Sequence, residues 1–415
     1  GIKPGLERVG FLLEKCGHPE QKLKFIHIAG TNGKGSTAVM VNSVLMAAGY
    51  KTGLYTSPHL VSYEERIRIN FTPISKSRLV SLYQSLKPYL LDLACNPDLG
   101  PATEFEVGTV IALLYFFQES VEVVIWETGM GGRLDATNIV QPVLTVITRL
   151  ALDHTERLGQ TLESIAREKA GIIKHDVPVI VNEQKEIAGI IEETCRERNA
   201  PLYKADKILP LQKFSVSLQG TSIYVRLENK MKKYTVPLIG LHQVQNMLLA
   251  VASLFVLRGR GWRITEENII RGLATVKWPG RMDIIKHHPI IILDGAHNPD
   301  GMETLAATLS HLFPQKKFHF ALGLLKNRPL AQMLSPLLKI AREFILTSVP
   351  HEMTVPPGEI AAKATGIPCR IVGNPAEALE YLMGIAAEEV GVGCGSLYLL
   401  GEWYRGMGER ENCEG

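Results

Sequence analysis

HIAGTNGKGST, residues His27 to Thr37, joins an apolar segment at Leu23–Ala29 to a segment of helical character that runs to Ala48. Gly30, Gly33 and Gly35 permit backbone conformations that a Cβ would hinder. Such a loop can turn its N–H groups, including those of Thr31, Asn32 and Thr37, toward a phosphate, and the helix start behind it adds a favourable dipole. Lys34 supplies a mobile positive charge, and Ser36 or Thr37 a hydroxyl able to reach Mg2+. The general phosphate-loop pattern places four residues between the first Gly and the Gly-Lys pair. Here only Thr31 and Asn32 intervene, and Gly35 separates Lys34 from Ser36. A plain strand-to-helix turn needs one Gly, not three around a Lys. The strand–loop–helix context predicts a nucleotide-binding loop.

The chain of 415 residues exceeds what one hydrophobic core usually organises, so two domains are expected. Apolar residues make up 46% and charged residues 21%, the balance of an ordinary globular protein. A net charge of +3 gives no argument for nucleic acid or a membrane surface. The longest apolar run, Val110–Phe117, is far too short to span a bilayer. No signal peptide is recognised at the start. The six cysteines are scattered without metal-ligand or redox spacing. Reduced thiols in a cytoplasmic protein are the expectation.

Strand-like and helix-like runs alternate, which predicts an α/β fold with a mainly parallel sheet and crossover helices. The expected early strands are Phe25–Ala29, Val121–Glu127, Val143–Thr148 and Val177–Val181. Helices are expected at Lys34–Ala48, Lys76–Leu91, Thr103–Glu119, Thr161–Ala170 and Ile187–Arg198. Phe214–Val236 reads as a small antiparallel insertion and Gln243–Leu257 as an apolar helix. Trp278-Pro279-Gly280-Arg281 is a break in the pattern and is read as the domain boundary. This predicts a phosphate-loop domain over 1–279 and a smaller Rossmann-like α/β domain over 280–415. In the second part Ile290–Leu293, Phe318–Leu322, Phe344–Thr347 and Leu397–Leu400 read as strands. Met302–Leu312, Leu330–Ala341, Pro357–Ala364 and Pro375–Glu389 read as helices.

Glu127 ends a buried-looking strand and is followed by GMGGRLDATN. Ligands in open parallel sheets bind at the carboxyl ends of strands, so this carboxylate is placed to hold Mg2+ against nucleotide phosphates. The bland alternative is a turn cap. His154, in LDHTERLG, follows another strand end. His is an unusual Mg2+ ligand, and the residues alone leave it open between ligand and structural hydrogen-bonder. In TLESIAREKA, Leu162, Ile165, Ala166 and Lys169 share one helical face. The residues alone favour a Lys169 stem that packs while its head snorkels to water. The alternative is an amine neutral enough to take up CO2 as a carbamate. In IIILDGAHNPDG, Asp294 could bond a ribose hydroxyl and His297 a phosphate or a reacting carboxylate. Turn chemistry competes for both, and Arg281 alone reads as a surface hinge residue.

These motifs in this order resemble the folylpolyglutamate synthases, a branch of the Mur ligase family of ATP-dependent amide-forming enzymes. GTNGKGS (30–36), YTSPHL (55–60), ERIRIN (65–70), TEFEVGT (103–109), ETGMGGRLDATN (127–138) and LDHTERLG (152–159) carry the resemblance. REKAGI (167–172), GLHQVQN (240–246), PGR (279–281), LDGAHNP (293–299) and GSLYLLGE (395–402) complete it. The resemblance implies that Lys34 and Ser36 hold the ATP phosphates and that Ser57 and Glu127 bind a first Mg2+. It further implies that His154 reaches a second, beside a Lys169 carrying a CO2-derived carbamate. Asn246 would sit near the adenine, Arg281 on phosphate and Asp294 on the ribose. The segment Ser57–Asn70, with Pro58, His59 and Arg66, would shape a folate pocket. His297 and Ser396 would receive the incoming glutamate. One departure stands out: where relatives often carry an acidic turn, this chain has Lys326-Asn327-Arg328-Pro329.

The implied reaction transfers the γ-phosphoryl of ATP to a folate γ-carboxylate, and L-glutamate then attacks the acyl phosphate. Folate and L-glutamate are the expected partners of a monomer, and a monovalent cation is a further candidate cofactor. Domains closing over the site would exclude water. Addition of glutamate to dihydropteroate as well would make the enzyme bifunctional. A cell-wall Mur ligase fits the Tyr55–Asn70 and Thr103–Thr109 motifs less well. A phosphate-loop ATPase or regulatory nucleotide-binding module is the alternative from another class.

Overall fold

The computed structural model describes residues 5–326 and 328–414, with side chains described as far as 408. Asn327, in the Lys326-Asn327-Arg328-Pro329 stretch, lies outside the described residues. The chain divides into two compact units. The first comprises Gly1–Phe214, Ser222–Val236 and Val244–Val276; the second comprises Ser215–Thr221, Pro237–Gln243 and Lys277–Gly415.

The first unit is built on an eight-stranded sheet. Phe25–Ala29 lies at its centre, paired in parallel with Val123–Glu127 on one side and Leu144–Ile147 on the other. Every residue of these three strands is buried, as expected where helices cover both faces of a parallel sheet. Val179–Val181 and Leu202–Lys204 continue the sheet in parallel beyond Leu144–Ile147. Thr52–Tyr55 extends it at the other side, followed by a short antiparallel hairpin of Ile67–Ile69 and Thr72–Pro73. The chain leaves the central strand first toward one edge and later returns to the other. The carboxyl ends of the three central strands therefore open a crevice of the kind that receives ligands in such sheets.

The helix Lys34–Ala47 follows the first strand directly and is buried along most of its length. The helix Glu104–Gln118 starts with a reciprocal cap between Thr103 and Glu106. Arg8 holds the Glu106 carboxylate with Nε 3.0 Å from both oxygens and Nη2 2.7 Å from one. Both side chains are below a tenth exposed. The expected antiparallel insertion is a three-stranded meander of Leu211–Ser217, Gly220–Leu227 and Lys230–Val236.

The second unit contains a six-stranded sheet. Its order is Asp283–His287, Ile290–Leu293, Val390–Cys394, Phe318–Leu322, Ala341–Leu346 and Cys369–Ile371. The first pairing is antiparallel and the rest parallel. One sequence expectation is corrected here. Leu397–Leu400 is not a strand but the first turn of the helix Leu397–Glu414, and the strand is Val390–Cys394 before it. The strand was masked by its glycines. A Cβ at Gly393 would lie 2.4 Å from the Trp403 ring, and one at Gly391 2.8 Å from Ile291. Glycine is required by close packing here, although it weakens the strand signal.

Candidate active site

The phosphate loop is built by its glycines. Gly30 has φ +157 and Gly33 φ +88. A Cβ at Gly30 would fall 1.8 Å from Thr148 Oγ1, and one at Gly33 2.2 Å from Asn246 Oδ1. Thr148, at the end of the adjacent strand, donates its hydroxyl to the Asn32 carbonyl at 2.8 Å. Thr31 and Ala151 bond reciprocally: the Thr31 hydroxyl donates to the Ala151 carbonyl at 3.0 Å and accepts from the Ala151 amide at 3.1 Å. The Thr31 amide also donates to the Arg149 carbonyl at 2.9 Å. The loop is thereby fastened to the segment that carries His154.

Lys34 Nζ lies 3.1 Å from the Gly30 carbonyl, 3.3 Å from that of Thr31 and 3.9 Å from Glu127 Oε1. Glu127 is 4% exposed at the end of its strand. Its second oxygen accepts from the Ser57 amide at 3.4 Å. Ser36 is buried in the first turn of the helix behind the loop. Lys34, Ser57 and Glu127 are thus grouped at one crevice, and Ser36 lies two positions beyond Lys34 in the helix. Among the described residues no cluster of three or more His, Cys, Asp or Glu side chains forms a metal cage. A single buried carboxylate flanked by hydroxyl-bearing residues is nonetheless a fitting donor set for Mg2+, which keeps water and phosphate oxygens among its ligands.

Lys169 corrects the snorkelling reading. The helix Leu162–Ala170 buries Ile165, Ala166, Lys169 and Ala170 on one face. Lys169 is 4% exposed, and its Nζ donates to the Gly30 carbonyl at 2.7 Å. Burial pushes its ammonium down to about 7 and Lys34 adds to this, against Asp135 and Glu127. The helix is seated by Gly132, where a Cβ would be 2.7 Å from the Glu168 carbonyl and 3.0 Å from Lys169 Cα. His154 has a left-handed backbone, φ +50, and its amide donates to the Asp153 carboxylate at 2.7 Å. Burial holds its imidazole below the ordinary value, so a ring nitrogen lone pair is available near neutral pH.

Asn246 lies against Gly33, at the phosphate loop itself. His59 accepts from Arg66 Nε at 2.9 Å, and the Arg66 guanidinium stands 4.8 Å from the Tyr63 ring and 3.5 Å from Glu104. Pro58 follows Ser57 through a cis peptide bond. Sequence reasoning gave no role to Glu65, whose carboxylate accepts the amides of Leu60, Val61 and Ser62 and so shapes this segment. It also overlooked Asp135, which accepts from the Met130 and Thr137 amides and closes the Gly-rich loop after Glu127. The available signals were the capping-box spacing of Ser62 and Glu65 and the position of Asp135 just after a Gly-rich run.

In the second unit, Asp294 is 7% exposed and accepts from the Met282 and Ala296 amides at 2.9 Å. Burial raises its carboxyl, against Arg281 and these two bonds. Arg281 crosses Gly295, where a Cβ would be 2.1 Å from Nη1. His297 Nδ1 lies 2.7 Å from the Gly295 carbonyl, just before the helix Pro299–Leu312, which Asn298 caps. Ser396, 2% exposed, accepts from the Tyr398 amide at 3.2 Å at the start of the last helix. Arg281, Asp294 and His297 therefore cluster at the carboxyl end of the Ile290–Leu293 strand, and Ser396 follows the neighbouring strand Val390–Cys394.

Among known families, the Mur ligase middle domain matches residues 28–254 and the Mur ligase glutamate ligase domain residues 280–397. The chain is 39% identical over 345 residues to the dihydrofolate synthase/folylpolyglutamate synthase of Bacillus subtilis, covering 82% of this chain and 80% of that one. Mycobacterium tuberculosis folylpolyglutamate synthase complexed with ADP and AMPPCP has a similar structure, with TM-score 0.89 and 29% identity over 97% of this chain and 95% of that one. The bifunctional folylpolyglutamate synthase/dihydrofolate synthase of Yersinia pestis, complexed with AMPPNP and Mn ion, superposes with TM-score 0.83 at 31% identity, covering 98% and 94%. The α/β architecture, the phosphate loop and these likenesses along nearly the whole length lead to one assignment: the chain belongs to the Mur ligase family, in its folylpolyglutamate synthase branch.

Proposed function

We propose that this chain is an ATP-dependent, ADP-forming ligase that adds L-glutamate to the γ-carboxylate of a folate glutamate. The carrying observation is the phosphate loop whose Lys34 ammonium stands 3.9 Å from the buried, strand-end Glu127, in a chain of this family. A carboxylate does not react with an amine at neutral pH because its oxygen is a poor leaving group. The γ-carboxylate oxygen attacks the γ-phosphorus of ATP, the bond to ADP breaks, and an acyl phosphate forms. The glutamate amine then attacks the acyl carbon, loses a proton and expels phosphate.

Lys34 and the loop amides of residues 30–37 hold the phosphates and offset the charge that spreads during transfer. Ser36, Ser57 and Glu127 would hold Mg2+, which would supply charge neutralisation at the phosphates. His154, together with Lys169 as a carbamate, is assigned to a second ion; the lowered pKa of Lys169 supports this because only the neutral amine reacts with CO2. Asn246, Arg281 and Asp294 are assigned to the nucleotide. Pro58, His59 and Arg66 go to the folate, and His297 and Ser396 to the incoming glutamate. The nucleotide-binding part runs over 1–279 and the glutamate-ligase part over 280–415, a division supported by the family matches at 28–254 and 280–397. No described helix is long and apolar enough to cross a membrane. A cytoplasmic monomer is the working state, with a monovalent cation as an additional cofactor to be tested.

A second reading adds dihydropteroate as a substrate, because the Bacillus subtilis relative carries both activities in its name. One assay separates the readings: ADP release and labelled glutamate incorporation, with tetrahydrofolate and with dihydropteroate side by side. Release that needs glutamate and tetrahydrofolate supports the ligase, and incorporation into dihydropteroate adds the second activity. ADP release that needs neither acceptor nor glutamate would overturn both in favour of a nucleotide-driven module.

A further inference from the structure

The turn Pro279–Met282 is held at both ends. The Gly280 carbonyl accepts from the Gly295 amide at 2.8 Å, and the Met282 amide donates to the Asp294 carboxylate at 2.9 Å. Between them Gly280 has φ +72 and Met282 φ +49, so both residues sit in the left-handed region. For Met282 that conformation is costly and needs outside support. Tyr404 supplies it. Its hydroxyl accepts the Gly280 amide at 2.8 Å and donates to the Asp283 carboxylate. One phenol therefore bridges the residues before and after Arg281-Met282. Tyr404 lies on the helix Leu397–Glu414, about two turns beyond Ser396. Burial raises its phenol strongly, which keeps the hydroxyl protonated and able to donate.

We infer that Tyr404 is a positioning residue for nucleotide binding: it clamps Gly280 and Asp283 so that the guanidinium of Arg281 is presented beside Asp294. This rests on the proposed assignment of Arg281 and Asp294 to the nucleotide. The last helix then bears on both substrates, through Ser396 at its start and Tyr404 further along. A purely local role, securing the helix to the turn, would show in stability alone.

Two substitutions and one binding measurement separate these roles. Tyr404→Phe keeps the ring and removes both bonds. It should weaken ADP binding, measured by calorimetry, and raise the KM for ATP by about tenfold, the scale set by the loss of the phenol's two hydrogen bonds to the turn. The kcat and the KM for glutamate should stay within about twofold. Combined with Arg281→Ala, Tyr404→Phe should add nothing further, because the clamp acts through that side chain. Asp283→Asn, which keeps an acceptor for the phenol, should bind ADP as the unsubstituted chain does. Unchanged ADP affinity in a folded Tyr404→Phe variant overturns the inference, as does full additivity with Arg281→Ala. If Tyr404→Phe fails to fold, the Asp283→Ala variant carries the same expectation for ADP binding and the same power to overturn it. Failure of the ligase reading itself is distinct: the unsubstituted chain would bind ADP yet incorporate no glutamate.

Discussion

Lys169 Nζ donates to the carbonyl oxygen of Gly30 at 2.7 Å, so a helix lysine and the first glycine of the phosphate loop share one buried hydrogen bond. The bond joins two segments far apart in sequence. It also places an amine of lowered pKa behind the loop that carries Lys34.

Lys169→Ala should be inactive in glutamate incorporation, with partial rescue by a short-chain carboxylate supplied in solution. Absence of rescue would count against a carbamate and leave the ligase assignment standing. The same group gives a stability test. Its folded pKa of about 7 lies below the ordinary lysine value of 10.5, so the unfolded chain binds more protons between those values. Stability contributed at this site therefore rises with pH across that window. Lys169→Met should flatten the rise, measured as the denaturant midpoint at pH 7 and at pH 9.5.

Lys34→Ala and Glu127→Ala should each reduce turnover by at least about 10^2-fold, the scale on which loss of one charge-stabilising group is felt. Circular dichroism should change little, because both side chains lie at a crevice and not within a hydrophobic cluster. Near-normal ADP release in the presence of folate and glutamate would refute the placement of the site.

Gly33→Ala should weaken nucleotide binding for two separable reasons. Its φ of +88 is unfavourable for any residue with a Cβ, by about 1–2 kcal/mol. The new methyl group would also meet Asn246 at 2.2 Å. Adding Asn246→Ala should relieve the steric conflict and leave the backbone cost. A double variant that folds no better than the single one would show that the contact is unimportant.

Two histidines predict acid sensitivity. Burial pushes His27 down to about 3, with Lys174 adding; burial pushes His242 down to about 4, with Arg281 adding and Asp300 opposing. Both folded values lie below the ordinary histidine value of 6.5, so the unfolded chain binds the extra protons. Stability from each site is intact above about 6.5 and declines as pH falls toward the folded values. Thermal midpoints measured from pH 7 to pH 4.5 should fall, and His27→Gln should reduce the slope. An unchanged slope in that variant would remove His27 as a source.

The central strands, the phosphate loop and the last turn of the Lys169 helix were legible because each repeats a local pattern: buried β runs, three glycines around a lysine, and apolar spacing of three and four. The Val390–Cys394 strand was not, because close packing on Trp403 and Ile291 demands glycine where a strand signal needs β-branched residues. The depth of Lys169 was likewise hidden. Periodicity showed which face it shares, but the partner that accepts its ammonium is the Gly30 carbonyl, 139 positions away. The Arg8–Glu106 pair, separated by 98 positions, could not be read from local spacing either. The roles of Glu65 and Asp135 depend on which amides a turn leaves unpaired, and that is decided only once the backbone closes around them.

The reciprocal bonds between Thr31 and Ala151 have a consequence for altering this protein. The phosphate loop has no independent shape to transplant: its second residue is clamped to a segment that leads directly into His154. Lengthening either segment by one residue would misalign the other. Grafting new nucleotide specificity onto this scaffold therefore calls for exchanging both segments together, as one cassette.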